Sequence, residues 1–157
     1  MNLSKHFTIK ELTRTSVRLN NTPNAEAITN LKRVCGWIEQ LRERYNEHYG
    51  LSSNPSPVGE GSQQRKEQPI IINSGYRSAA VNRAVGGVRT SNHLTGCAVN
   101  IRVSGIEQLL RYATILLDIS DETDQDFDEL LLERKGSTMW LHFAVRKANN
   151  RRKVHII

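Results

Sequence analysis

The stretch Ser91-Asn-His-Leu-Thr-Gly-Cys-Ala-Val-Asn100 decides how this chain is read. His93 stands three residues before Gly96, and glycine suits a tight turn because it takes positive φ without steric cost. Beyond the turn, side chains alternate between the two faces of an expected strand. Cys97, Val99, Ile101 and Val103 fall on one side and ask for a core. Ala98, Asn100 and Arg102 fall on the other, so a small residue separates His93 from Asn100 and leaves room for something to approach the backbone.

Working outward, Pro69-Ile-Ile-Ile-Asn-Ser74 reads as a buried strand, and Gly75-Tyr-Arg-Ser78 turns out of it. Ser78 can cap a short helix from Ala79 to Val85, which Gly86-Gly87 ends. Downstream, Ser104 and Glu107 have capping-box spacing and start a helix expected to reach about Leu117. Asp118 to Asp126 then reads as a solvated acidic loop, without the spacing or glycine of an EF-hand calcium site. Phe127 to Glu133 is an expected strand, Arg134 to Thr138 a hairpin turn around Gly136, and Met139 to Val145 the returning strand. On that return Trp140, His142 and Ala144 share a face, in parallel with Ala98 and Asn100. Val154 to Ile157 is expected to form an edge strand.

Upstream, Phe7 to Leu12 starts a small helix. Thr22 and Pro23 are expected to open a long helix over Ala25 to Tyr49, whose apolar residues recur at helical period and which Gly50 stops. Leu51 to Gln68 is rich in Ser, Pro, Gly and Gln without periodicity and reads as a loop. His6, His48 and His155 stand without ligand spacing.

Composition bounds the rest. At 157 residues, with 38% hydrophobic and 24% charged residues, the chain fits one globular domain, residues 1–157, with a core. No apolar run reaches the roughly 20 residues that span a bilayer. Met1-Asn-Leu-Ser-Lys-His-Phe7 lacks the apolar stretch of a signal peptide, so synthesis in the cytoplasm is expected. Cys35 and Cys97 read as packed free thiols. The formal charge of +6 is dispersed and accompanies no nucleic-acid motif, so a nucleic-acid partner is not expected, nor a membrane.

The Ser91–Asn100 stretch resembles Ser-x-His-x-x-Gly-x-Ala-x-Asp, the metal-binding signature of the M15 zinc peptidases, D-alanyl-D-alanine carboxypeptidases and phage endolysins among them. Ser74-Gly-Tyr-Arg-Ser78, with Val81-Asn82 and Val85-Gly-Gly87, is similar to the family's second block, and Trp140-Leu-His142 to its last. The resemblance implies an α+β fold, a small antiparallel sheet carrying the metal site with helices packed on one face. It also implies Zn2+ held by His93, Asn100 and His142, with Arg77 and Ser91 on the substrate side. Peptidoglycan stem or cross-link peptides would be the substrate of a monomer that reaches the wall by export or lysis.

Two positions depart from the family. Asn100 stands where the signature has a charged Asp, and Met139 stands where many members carry an acidic general base three residues before the last His. Glu133 matches the place of a strand glutamate in the branch this chain most resembles and is the expected base, with Asp128 a lesser candidate. A neutral amide ligand holds a divalent cation less firmly, so a second expectation stands beside catalysis: a weakly active or inactive homologue that binds a wall peptide or a partner.

Overall fold

A computed structural model describes residues 1–50 and 67–157, so the loop expected at 51–68 falls almost wholly outside the described residues. The longest element follows from the apolar stripe anticipated upstream. Helix α2 (Ala25–Tyr49) buries Leu31, Val34, Cys35, Ile38 and Leu41 on one face. Its start differs from the expected one. Asn24 is the N-cap and accepts the Ala27 N–H, which leaves Pro23 outside the helix. Helix α1 (Ile9–Leu12) is a single turn closed by a capping box between Thr8 and Glu11. His6 is not free beside it, because its Nδ1 lies 2.7 Å from Glu39 and ties the N-terminal segment to α2.

Strands β1 (Ile72–Ser74), β2 (Ala98–Arg102), β3 (Glu129–Lys135), β4 (Thr138–Ala144) and β5 (Lys153–Ile156) form one sheet in the order β1-β2-β4-β3-β5. The first four pair antiparallel, whereas β5 runs parallel to β3 at the edge, so the sheet is mixed. Helix α3 (Ala79–Ala84) is capped by Ser78, as the sequence suggests.

Helix α4 (Ile106–Thr123) runs six residues beyond its expected end and absorbs most of the supposed acidic loop. Ile115, Leu116, Ile119 and Ser120 continue its buried stripe, while the acidic residues take its outer face. Asp121 pairs with Arg152 and Glu122 with Arg44, both at the surface. Its N-cap is Gly105 without a side-chain cap, so the expected Ser104 capping box does not form; the Ser104 N–H goes to Gln108 instead.

The α+β class read from the sequence holds. The core fills the space between α2, α4 and one sheet face, where Val99, Ile101, Leu130, Leu141 and Phe143 are fully buried. Trp37 on α2 packs against Phe143 at 5.4 Å between centroids. Cys35 and Cys97 are buried free thiols. Among the described residues no helix is long and apolar enough to cross a membrane. With the helices on one face, the opposite sheet face is left to carry polar side chains.

Candidate active site

Two local features aim the first histidine. Gly75 ends β1 where an added Cβ would stand 2.3 Å from the Leu12 carbonyl, so only glycine lets the chain pass α1. The freed Gly75 carbonyl lies 2.6 Å from His93 Nδ1. A carbonyl only accepts, so Nδ1 carries the proton and the Nε2 lone pair is bare. Gly96 adopts φ +76 to close the 3-10 turn Asn92–Thr95, and a Cβ there would sit 2.5 Å from the Ala27 carbonyl of α2. The turn therefore rests on the long helix with His93 facing the other way. Burial, then the charges of Arg77 and His142, push the His93 imidazole down to about 3, so it is neutral at physiological pH.

The second and third residues come from adjacent strands. Asn100 on β2 and His142 on β4 are cross-strand partners, with Asn100 Oδ1 3.0 Å from His142 Nδ1. The rings of His93 and His142 lie 5.1 Å apart, centroid to centroid, at a steep angle. Both histidines are buried and Asn100 is half-buried. The structure thus brings together the three residues the sequence nominated as metal ligands. Ala98 and Ala144, paired beside them, keep that end of the sheet face low.

Glu133 is the cross-strand partner of Trp140, and the Trp140 indole N–H donates to its Oε2. Arg77 leaves the β1 turn half-buried, its Nε donating to Ser74 at 3.1 Å. Among the described residues Arg77 makes no ion pair. Burial pushes its guanidinium below the ordinary value, and the charge of Glu133 opposes that. Ser91 caps the 3-10 turn by accepting the His93 N–H at 3.2 Å. Asp128, the lesser base candidate, is fully buried and held by Arg151 and Arg146, which makes it a structural carboxylate.

One residue escaped the sequence reading. Glu129 lies 3.1 Å from His142 Nε2 and accepts from Asn92 at 2.6 Å. The hydrogen bond from His142 holds its carboxyl below the usual range against the effect of burial. The signal was available: Glu129, Leu131 and Glu133 alternate onto one face of β3, the face that meets His142.

Two imidazoles thus meet beside the Glu129 carboxylate and within electrostatic reach of Arg77, on an α+β scaffold. A sequence model described as Peptidase M15 matches residues 60–120, the segment that carries Arg77, Ser91, His93 and Asn100, so over this part the chain is similar to the M15 peptidases. The match ends before β3 and β4, so Glu133 and His142 stand on geometry and on the motif around them. No curated protein matches the chain.

The M15 peptidases are zinc-dependent as a family. Among the described residues no three His, Cys, Asp or Glu side chains form a metal-binding group. The third donor in this cleft is an amide. Its geometry nevertheless suits a cation. Asn100 Oδ1 and His142 Nδ1 stand 3.0 Å apart, close enough to share one cation at the roughly 2 Å of zinc–ligand bonds, and the bare His93 Nε2 is available as the third donor.

Proposed function

We propose that this chain is a zinc-dependent peptidase that cleaves peptidoglycan stem or cross-link peptides. The observation that carries the reading is the convergence of His93, Asn100 and His142 from a turn and two adjacent strands. Three protein donors with the remaining position open is the pattern of catalytic zinc sites. When bound, zinc supplies a Lewis-acidic charge that polarises a carbonyl and acidifies water.

The chain's own residues do the rest. Arg77, half-buried and unpaired among the described residues, grips a substrate carboxylate or carbonyl with its planar fork. The Glu133 carboxylate engages Trp140 through Oε2 and keeps Oε1 to take a proton from the attacking water. The same oxygen then returns the proton to the leaving amine as the peptide bond breaks. Ser91 holds the turn that aims His93 by accepting its N–H.

Asn100 favours a second reading. A neutral ligand leaves one negative charge fewer to hold a divalent cation, so the cleft could retain peptide binding without turnover. The two separate cleanly in one experiment: metal content of protein purified without chelator, paired with release of amino groups from purified peptidoglycan. Zinc near one equivalent with amino-group release supports the peptidase. Neither zinc nor release supports the binding homologue. His93→Ala is the control and should lose zinc, since the remaining pair of donors is too few.

A further inference from the structure

We infer that Glu129 is a positioning residue for this centre: it holds the proton on His142 Nε2, so that Nδ1 faces the site bare, and it returns the negative charge that Asn100 does not supply. The inference deepens the proposed zinc-peptidase reading and rests on it for the role of the charge.

Four observations carry it. Glu129 Oε1 lies 3.1 Å from His142 Nε2, the nitrogen turned away from Asn100. The contact is sheltered, with side-chain exposures of 15% for Glu129 and 9% for His142, so it is little screened by water. The carboxylate is itself fixed. Asn92, the neighbour of His93, donates to Oε1 at 2.6 Å and to Asp128 at 2.7 Å, and accepts from Arg146 at 3.0 Å. Arg151 stands 3.8 Å from Oε2. Finally, the three donors His93, Asn100 and His142 include no carboxylate, so Glu129 is the acid in direct contact with a member of the triplet.

The chemistry is general. An imidazole ligand whose far N–H is held by a carboxylate has its tautomer and ring angle set and becomes a stronger donor. Most such sites use that carboxylate as a refinement of an already charged ligand set. Here it stands one ring away from a set with no carboxylate of its own. The acid missing from β2 is therefore supplied from β3, through the imidazole of β4.

The test uses the full chain and two readouts. Zinc affinity is measured by competition with a chromophoric chelator for the parent, Glu129→Gln, Asn100→Asp and the double variant. Glu129→Gln keeps an acceptor oxygen and removes only the charge, and should weaken zinc about 10- to 100-fold. The double variant should recover most of that loss. Equal affinity of Glu129→Gln and parent, within twofold, overturns the charge role. The second readout is the 15N chemical shift of the His142 ring in metal-free protein, for the parent and Glu129→Leu. The parent should show the Nε2–H tautomer and the leucine variant should lose that preference; identical spectra overturn the positioning role. A parent that takes up no zinc but shows the Glu129-dependent tautomer sinks the peptidase reading while the positioning role stands.

Discussion

The carbonyl of Gly75 and the ring of His93 meet at 2.6 Å, so the residue that turns the chain out of β1 also decides which imidazole nitrogen faces the cleft. Fold and chemistry share this one contact. A Cβ at position 75 would stand 2.3 Å from the backbone of Leu12, which cannot retreat without moving α1. Gly75→Ala should therefore destabilise the protein by about 1–3 kcal/mol, the usual cost of overpacking. Urea denaturation measures this directly. Zinc affinity should fall in the same variant, because the shifted carbonyl no longer fixes Nδ1–H. A variant of parental stability and parental affinity would show that the backbone at this turn yields freely.

Asn100→Asp should raise zinc affinity roughly tenfold or more, a gain of about 1.4 kcal/mol or greater. The substitution is nearly isosteric and places a charge directly beside His142 Nδ1, 3.0 Å away in the parent. It also sets a second carboxylate near Glu129, so part of the gain is offset by repulsion. Titration of both proteins after metal removal provides the comparison. Equal zinc occupancy at every chelator concentration would mean that the amide already coordinates as well as a carboxylate.

The faces of β2 and β4 were legible because alternation needs only a turn and a period of two. Alternation alone puts Asn100 and His142 on matching faces of their strands, and they are register partners. Glu129 is harder to see, although the same rule applied to β3 places it with Glu133 on the site face. A run of Glu-Leu-Leu-Leu-Glu hides its alternation, since apolar residues occupy both faces. The end of α4 was obscured for the opposite reason. Asp118, Asp121 and Glu122 suggest a loop, but Ile119 and Ser120 between them are buried, and surface arginines on distant segments take up the acids. Long-range ion pairs of that kind leave no local mark in a sequence. His6 illustrates the same limit, since its partner Glu39 lies 33 residues away.

Acid should expose the buried network behind the site. Asp128 is fully buried. Burial pushes its carboxyl up, but hydrogen bonds from Arg151 and Asn92 and the charge of Arg146 outweigh that and bring it down to about 2. A folded-state value below the unfolded one near 4 means that its contribution is present above pH 4. It is lost as pH falls through about 2. The shift corresponds to about 2 kcal/mol. Urea midpoints compared between pH 5 and pH 2 should show this loss in the parent and a smaller one in Asp128→Asn. Parallel curves for the two proteins would place the acid sensitivity elsewhere.

Glu133 separates turnover from binding. Its carboxylate is anchored by the Trp140 indole at one oxygen and carries no other bond among the described residues. Glu133→Gln keeps the size and an oxygen to accept from Trp140, but it cannot take a proton. Loss of a positioned general base costs about 10²- to 10⁴-fold in rate. The fall should appear in kcat for amino-group release from peptidoglycan, while KM and zinc content stay near parental values. Among the described residues Glu133 makes no hydrogen bond to the three candidate ligands, so an accompanying loss of zinc would indicate a collapsed site. Trp140→Phe offers the finer cut: it removes the N–H that restrains Glu133 and keeps the aromatic packing, so kcat should fall less than in Glu133→Gln. Unchanged turnover in Glu133→Gln would move the proton transfer to another group and leave this carboxylate a structural partner of Trp140.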